Sequence, residues 1–586
     1  MRFFFSLAAF LLLFSSFFLL ADSAYSWVFP SLQNIRSTRE ERHHHFSLNT
    51  YYSVYQNDTG SNNFFVRKGL DNKSIAYGFF NDTIPQNGWS QLFITTNPGY
   101  SDEIQMFGAG FLEGALTKER IYQTKLNFFA STFGNQSVPE ALVQFVDKNE
   151  KWTRQQAELN IRGNSNQTTK LYWQNIALSI AQMDGLIAGY RQYCDKEQDL
   201  TAMEMMLINL SGDLTVLLPA LAPELVVPNL SRRNWQDMDM KEAFAYTTLR
   251  SKCSALIKLV PDYSEIFMAH STWGSYSTML RVFKIFKLNL SSARSSGIMF
   301  SSYFSMVVSD DDFYATLDTN LTIVETTNDI INTSLYDGIT PEQSIMYWLR
   351  VSAANRLATS GKQWIDIFSL YSQALYPNQW MITDLKLFIP GKAPLEKNLL
   401  WIFEEIPGYY SKSLDATDIL QLSGFWSSFN RPYDPEIFDI AGYKLYAQKY
   451  GPIFSYELNP RAEIFRRNQA SVLDLGSMKY IMNYNDYIKD PLSQGYAGSS
   501  IMARFDLGGG PDGGETGWFL QGPHGGIDSK VTSYSSFMNG VQVHAISGPT
   551  HQSLPPFQFS GAYANVPHHG MPELFDFDWI TIQFNN

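Results

Sequence analysis

The chain contains two cysteines, and the sequence around Cys253 makes it a candidate nucleophile. It stands at the start of a predicted strand, directly after the polar segment 247–252. If the chain were cut before Cys253, this residue would carry both a thiol and a free α-amine. Because an α-amine has a pKa of about 7.7 to 8.0, it can act as a general base near neutral pH. One residue would then supply the nucleophile and the base for acyl transfer.

Spacing alone leaves two other interpretations of Cys253 open. It could be a buried apolar cysteine with no chemical role. It could also form a disulfide with Cys194, since a secreted chain with two cysteines commonly carries one bridge.

A predicted hairpin gives Cys253 polar neighbours. The apolar runs 254–260 and 265–273 flank the turn sequence Pro-Asp-Tyr-Ser at 261–264. Antiparallel pairing about this turn sets Cys253 opposite about Thr272, with His270 and Trp273 close by. A titratable group would therefore lie beside the thiol, although His270 could equally be a structural histidine at a strand end.

Several other chemistries lack their motifs. There is no Gly-X-Ser-X-Gly elbow, no His-Glu-X-X-His helix and no Cys-X-X-Cys pair. The glycine-rich loop 508–514 lacks the Gly-Lys-Ser/Thr ending of a phosphate-binding loop. No cofactor and no metal are therefore expected. A net charge of -12 argues against a nucleic-acid partner, which would need a basic surface.

The elements that must position these residues predict a layered α+β fold. Apolar residues at steps of three and four predict a helix over 170–193, and further helices are expected over 113–133 and 343–370. Between the helices, the segments 297–308 and 312–325 are predicted as a second pair of strands. Helices that flank antiparallel strands indicate a layered α+β fold.

The first residues predict entry into the secretory pathway. Arg2 precedes the apolar stretch 3–20, and small residues follow, so residues 1–23 are predicted to be a signal peptide cleaved near Ser23 and Ala24. No later segment offers about 18 uninterrupted apolar residues, so no transmembrane segment is expected in the mature chain. Ten Asn-X-Ser/Thr triplets are candidate glycosylation sites: Asn57, Asn72, Asn81, Asn135, Asn166, Asn209, Asn229, Asn289, Asn320 and Asn332. A secreted or lysosomal glycoprotein is expected.

Blocks of sequence around Cys253 and beyond it resemble the phospholipase B-like proteins. They occur in the family's order and span at least residues 245–580. The blocks are CSALIK at 253–258, HSTW at 270–273, SFNRPY at 428–433, NPRAEIFRRNQ at 459–469, MNYND at 482–486, ARFDL at 503–507, HGGIDSK at 524–530, and GPT at 548–550 with PPF at 555–557.

The resemblance implies an N-terminal nucleophile hydrolase-like fold, an αββα sandwich of antiparallel sheets flanked by helices. It also implies a cut between Lys252 and Cys253, with both fragments staying associated. Residues 24–252 would form a glycosylated, helix-rich N-terminal fragment with a pro- or regulatory part. Residues 253–586 would form the catalytic fragment.

By matched position, the resemblance also assigns roles to site residues. Cys253 would be the nucleophile and, through its new amine, the base. Asn430 would donate to the oxyanion, and Arg461 would orient the amine network or bind an anionic substrate group. His270 and Trp273 would shape the pocket. The alternative for Asn430 and Arg461 is structural hydrogen bonding.

Two departures from the family pattern concern the cysteines and the cut. The region 499–503 lacks the extra cysteines of many relatives, so Cys194 is expected to be buried and free. Lys252 replaces a small residue before the cut, which could slow self-cleavage or leave the cut to a processing protease.

The favoured function is removal of fatty acyl groups from phospholipids through a cysteine acyl-enzyme. The alternatives are an amidase that acts on N-acyl or linear amides, and a non-enzymatic secreted glycoprotein that binds lipids. The expected partner is a phospholipid or acyl-amide substrate, and the resemblance is compatible with a homodimer.

Overall fold

The strands account for much of the computed structural model, which describes residues 50–57, 63–134, 136–226, 234–248, 252–509 and 521–584. In these ranges the strands are β1 (Tyr52–Gln56), β2 (Phe64–Lys68), β3 (Ala76–Thr83), β4 (Trp89–Thr96), β5 (Cys253–Leu259), β6 (Ile266–Ser275), β7 (Arg281–Lys287), β8 (Gly297–Ser302), β9 (Phe313–Thr316), β10 (Leu321–Thr327), β11 (Asn378–Asp384), β12 (Leu400–Ile406), β13 (Tyr410–Asp415), β14 (Phe425–Ser428), β15 (His524–Ser533), β16 (Gln542–Ser547), β17 (Phe557–Gln558), β18 (Leu574–Phe575) and β19 (Ile580–Gln583).

The α-helices cluster in two parts of the chain, before residue 250 and between the later strands. In the described ranges they are α1 (Ile84–Asn87), α2 (Asp102–Leu116), α3 (Lys118–Phe133), α4 (Glu140–Arg162), α5 (Gln167–Tyr193), α6 (Ala202–Asn209), α7 (Leu214–Leu221), α8 (Met240–Thr248), α9 (Tyr347–Leu357), α10 (Gly361–Phe368), α11 (Thr417–Ser423), α12 (Pro435–Ile440), α13 (Tyr443–Tyr450), α14 (Pro460–Asn468), α15 (Leu475–Met482) and α16 (Tyr534–Met538).

Two sheets form the centre of the molecule. The larger has 11 strands in the order β13-β12-β11-β10-β9-β8-β7-β4-β3-β1-β2, and the smaller has 6 in the order β14-β5-β6-β15-β16-β19. Paired strands run antiparallel, except that β4 and β7 pair in parallel. Strands β1 to β4 come from the part of the chain before Cys253. That part therefore completes the larger sheet.

Three apolar cores separate four layers. Ala255 and Ile257 of β5 pack against Phe283 of β7 between the two sheets. The helical layer that contains α2 and α5 covers the outer face of the larger sheet, and α14 and α15 cover the outer face of the smaller one. This order of helix, sheet, sheet and helix confirms the predicted α+β sandwich of antiparallel sheets flanked by helices.

The sequence patterns predicted where some helices and strands occur, but not where each one ends. The predicted hairpin is confirmed in β5 and β6, and the predicted helix over 170–193 lies within α5. The segment 113–133 is divided between α2 and α3 at Thr117, whose Oγ1 donates to the Glu113 carbonyl, a bond that bends helices. The segment 343–370 is divided before Ser360, whose hydroxyl caps α10. The segment 312–325 is divided into β9 and β10 by a turn at 317–320.

Both cysteines are buried, and neither forms a disulfide. Cys194 directly follows α5, and Cys253 begins β5. The disulfide alternative for these cysteines is therefore wrong.

None of the described helices is by itself long and apolar enough to cross a membrane. Helices α6 and α7 would reach that length and composition together, but they meet at a bend of 112°. Leu207 of α6 and Leu217 of α7 are fully buried in the helical layer.

Helices α2 and α5 approach so closely that their backbones touch. A Cβ added at Gly110 would lie 1.9 Å from the Gln182 carbonyl oxygen, and one at Gly189 would lie 2.1 Å from the Phe111 carbonyl oxygen. These distances are far inside van der Waals contact, so only glycine allows this crossing. The crossing in turn holds the helical layer on the larger sheet.

We expect Gly110→Ala to lower the thermal unfolding midpoint, because the new methyl group would push α5 away from α2. Overpacking of this kind costs about 1–3 kcal/mol. Gly338→Ala is the control, since an added Cβ there has no heavy atom within 4 Å. Circular dichroism during heating gives both midpoints, and equal midpoints would contradict the close crossing.

Candidate active site

Cys253 lies at the start of β5, and its backbone pairs with Thr272 of β6. This is the register that the turn sequence predicts. Because side chains alternate along a strand, Cys253 shares the inter-sheet face of β5 with Ala255 and Ile257. The backbone N–H of Trp273 donates to the carbonyl oxygen of Lys252, and this bond holds the peptide group before Cys253 in place. Cys253 itself is 0% exposed.

Arg461 binds the backbone of Cys253 directly. It lies in the first turn of α14, where Asn459 caps the helix by accepting the Arg461 N–H. Its guanidinium donates to the Cys253 carbonyl oxygen at 2.8 Å and to the Phe429 carbonyl oxygen at 2.7 Å. It also lies 4.2 Å from the centre of the Trp273 ring. Arg461 therefore links three parts of the predicted site.

Asn430 is buried next to the same strands. Its φ of 66° is left-handed, a conformation that Asn tolerates better than most residues. Its Nδ2 donates to the Thr327 carbonyl oxygen at 2.7 Å, which uses one of two amide hydrogens. The amide can still donate a second hydrogen bond.

His270 is fully buried two residues before Thr272. Its Nδ1 lies 3.4 Å from Thr272 Oγ1. Burial, and then the positive charge of Lys530, hold the pKa of His270 well below its usual value. The imidazole is therefore neutral at physiological pH and cannot supply a positive charge to the site.

A buried ionic network that the motifs did not reveal supports Thr272. Lys530 Nζ donates to Thr272 Oγ1 and to Asp311 Oδ2, both at 2.6 Å, and to Asp528 Oδ1 at 2.7 Å. Arg281 pairs with Asp311, and its Nε lies 2.8 Å from Asp528 Oδ2. Burial alone would raise the pKa of Asp311, but Arg281 and Lys530 lower it below its usual value.

The register of the smaller sheet brings this ionic network close to the Cys253 thiol. In the smaller sheet Thr272 pairs with Cys253 on one side and with Asp528 on the other. Two residues along the same strands, His270 pairs with Lys530. The available signal in the sequence was the alternation of Asp528 and Lys530 within the block 524–530, which places both on one face of a strand.

Glu325 of β10 is a second missed residue. Its Oε1 lies 3.9 Å from Cys253 Sγ and 3.1 Å from the Tyr376 hydroxyl. Burial raises the pKa of Glu325 to about 8, although Lys252 opposes this shift. Burial, followed by Glu325 and Asp311, raises the pKa of the Cys253 thiol well above its usual value. In the uncut chain the thiol is therefore protonated at neutral pH.

A cavity of about 320 Å³ opens beside the Lys252–Cys253 peptide. Lys252, Thr272, Trp273 and Asp310 are among its lining residues. The lining also includes several Ser and Thr side chains and the apolar side chains of Phe128, Ile208, Leu214, Leu218, Leu280 and Met306. Cys253 is not among the described lining residues, whereas Lys252 before it and Thr272 opposite it are. Lys252 is held there by Asp310, whose Oδ2 lies 3.7 Å from Nζ.

The candidate glycosylation sites differ in exposure. Asn57, Asn72 and Asn166 are exposed, and Asn81, Asn289, Asn320 and Asn332 are half-buried. Asn209 is fully buried, and its Oδ1 accepts the Val307 N–H at 2.9 Å. The fold leaves no room for a glycan on Asn209, which corrects the prediction at that position. Asn135, Asn229 and the predicted signal peptide lie outside the described residues.

Comparison with known proteins finds similar sequences over most of this chain. The sequence model of a family described as Phospholipase B covers residues 76–582. Phospholipase B-like protein F of Dictyostelium discoideum is 37% identical over 558 residues, which cover 94% of this chain and 95% of that protein. Human Phospholipase B-like 1 is 38% identical, with 88% and 89% covered. Phospholipase B of Crotalus adamanteus is 36% identical, with 91% and 92% covered.

The family match covers the smaller sheet, the larger sheet except β1 and β2, and every residue placed around Cys253. The blocks that suggested the family in the sequence fall inside the matched range. The chain therefore belongs to the phospholipase B-like family, and this membership supports a lipid-hydrolase function.

Proposed function

We propose that the protein removes fatty acyl groups from phospholipids through a thioester on Cys253, after the chain is cut before that residue. The observation that carries the proposal is the position of the Lys252–Cys253 peptide. It separates a buried thiol from an apolar cavity of about 320 Å³. A cut at this bond would create the catalytic amine and expose the thiol to the cavity in one step.

The uncut chain has the parts needed for self-cleavage. The Cys253 thiol would attack the Lys252 carbonyl carbon and pass its proton to the leaving amide nitrogen. The Trp273 N–H already donates to the Lys252 carbonyl oxygen, where negative charge would develop. Water would then hydrolyse the thioester, which frees the thiol and leaves Lys252 with a carboxylate.

The same groups would then serve acyl transfer. The new α-amine of Cys253 would take the thiol proton, and the sulfur would attack the ester carbonyl of the substrate. The second amide hydrogen of Asn430 would stabilise the oxyanion. The glycerol oxygen would leave with the proton, and water would release the fatty acid. Arg461 would position Cys253 through its carbonyl oxygen.

The cavity suits an acyl chain. Most of its wall surface is apolar, and Lys252 at the cut is one of its lining residues. An acyl chain would bury its methylene groups against the apolar side chains at a gain of about 0.8 kcal/mol each. The ester would then lie next to Thr272 and Trp273.

Secretion is part of this proposal. The support is the apolar stretch 3–20 with small residues after it, together with the exposed acceptor triplets at Asn57, Asn72 and Asn166. We propose a secreted or lysosomal glycoprotein on this basis.

Two alternative functions each have a specific observation in their favour. The bond that self-cleavage would break is an amide, so the same site could hydrolyse N-acyl amides. The cavity also exists while Cys253 is fully buried, which would suit a lipid-binding protein without enzymatic activity.

The cut itself is the first test. We expect wild-type protein to yield a fragment that begins at Cys253, and Cys253→Ala to stay intact at this bond, because alanine has no nucleophile. Cys194→Ala is the matched control, since Cys194 is also buried and outside any disulfide but follows α5. Intact mass and N-terminal sequencing give the result. A Cys253→Ala chain cut at the same bond would show that a protease makes the cut.

We expect Arg461→Lys to reduce kcat, because a lysine cannot donate to the Cys253 and Phe429 carbonyl oxygens together. Losing a hydrogen bond to a charged group costs about 1.5–3 kcal/mol, which corresponds to roughly 10- to 100-fold in rate. Arg467→Lys is the control, since Arg467 lies on the same helix and pairs with Asp490. Equal kcat values for both variants would argue against the positioning role of Arg461.

We expect Leu218→Trp to slow the hydrolysis of long acyl chains more than short ones, because the larger ring would fill the cavity that Leu218 lines. The control is Leu422→Trp, at a position that is 86% exposed.

Both variants should be assayed on phospholipids and N-acyl amides of several chain lengths. Acyl release from amides alone would replace the phospholipase proposal with the amidase. No release from either class, by processed protein, would favour the lipid-binding protein.

A further inference from the structure

Three fully buried side chains form a cluster whose chemistry goes beyond acyl transfer. Cys253, His270 and Glu325 each offer one ligand atom, and these atoms all lie within 4.8 Å of one another. We propose that this cluster binds one divalent cation of the zinc type. No local sequence motif contains this cluster, because its residues come from the three separate strands β5, β6 and β10.

The ligand set and its spacing fit zinc. Thiolate, imidazole and carboxylate are the three ligand classes that Zn²⁺ takes in proteins. A Zn–S bond is about 2.3 Å long and a Zn–O bond about 2.0 Å. A tetrahedral site therefore holds the sulfur and oxygen ligand atoms about 3.5 Å apart. Cys253 Sγ and Glu325 Oε1 are already 3.9 Å apart. Three protein ligands leave the fourth position open to water.

His270 is oriented for a ligand. Its Nδ1 is directed to Thr272 Oγ1, and its buried Nε2 has no partner with hydrogen-bond geometry among the described residues. A histidine ligand commonly uses one nitrogen for the metal and the other for a neighbouring acceptor, which fixes the ring. Thr272 is in turn held by Lys530 and Asp311.

Glu325 has comparable support. The Tyr376 hydroxyl donates to its Oε1 at 3.1 Å, and the Asp312 N–H donates to the same oxygen at 3.3 Å. Such bonds orient a carboxylate ligand and are a regular part of metal sites.

The charge balance around the cluster favours a cation. Lys530 and Arg281 are paired with Asp311 and Asp528, and Lys252 is paired with Asp310. The ion pairs among the described residues include neither Glu325 nor Asp312, although both carboxyl groups are fully buried. A buried carboxylate needs a proton or a positive partner. A divalent cation would displace the thiol and carboxyl protons into solvent and supply that charge.

Metal binding would mask the thiol. A sulfur that shares a lone pair with the cation is a weaker nucleophile toward the Lys252 carbonyl carbon, so the cation would slow the cut reversibly. This consequence rests on the proposed self-cleavage, whereas binding itself does not.

Cobalt(II) tests the binding because a thiolate–cobalt bond absorbs light and reports the sulfur directly. Full-length protein, stripped with chelator, is titrated with Co²⁺ as wild type and as Cys194→Ala, Cys253→Ala, Cys253→Ser and Glu325→Gln. We expect the thiolate–cobalt band in wild type and Cys194→Ala, with one ion per chain. It should be absent in both Cys253 variants, and Glu325→Gln should bind at least tenfold more weakly. Thermal unfolding confirms that each variant is folded.

Two results would overturn the site. The first is no thiolate–cobalt band in wild type, which would leave a protonated Glu325 beside a neutral thiol. The second is a band that survives in Cys253→Ala and disappears in Cys194→Ala. Either outcome excludes a cation on Cys253.

The masking is tested separately with Zn²⁺ itself. We expect added Zn²⁺ to slow the appearance of the fragment that begins at Cys253, and chelator to restore it. A cut at an unchanged rate with the site loaded would refute masking. A chain that is never cut, with or without chelator, would instead refute the self-cleavage of the proposed function and leave the cobalt result standing.

Discussion

The two sheets meet around a buried ionic network, and the position of the site depends on it. Arg281 comes from the larger sheet and Lys530 from the smaller, and both pair with Asp311 and Asp528. All four side chains are at most 1% exposed, and removing one partner from such a network costs about 3–5 kcal/mol. The sheets can therefore pack only where these charges meet. That arrangement also holds Thr272, and with it the register that places Cys253.

Burial is the main cause of the pKa shifts of His270 and Cys253, and the network adds to it. Lys530 disfavours a positive charge on His270, and Asp311 disfavours a negative charge on Cys253. Both groups are therefore neutral while the chain is uncut. A thiol with a raised pKa reacts slowly, because the thiolate is the nucleophile. The proposed self-cleavage would therefore start from a protonated thiol, and burial and charge together would keep that step slow.

The sequence predicted the parts of the site that depend on local structure. The turn at 261–264 was enough to pair Cys253 with Thr272, because a hairpin's register follows from its turn. The family blocks identified Arg461 and Asn430, which both lie against the backbone of neighbouring strands. Glu325 and Asp311 were missed because their contacts join strands of different sheets, and no local pattern encodes that packing. Asn209 was misjudged because a triplet does not reveal whether a helix end is buried.

The parts on either side of the Lys252–Cys253 bond cannot work separately. The first part supplies Phe128, Ile208, Leu214 and Leu218 to the cavity walls, and the second supplies the thiol, Trp273 and Arg461. Strand β4 of the first part pairs along its length with β7 of the second, so a cut would leave this shared sheet intact. Backbone pairing of this extent would keep the two fragments together. Under the proposed function, the cavity that would hold the substrate and the thiol that would act on it would then stay together after the cut.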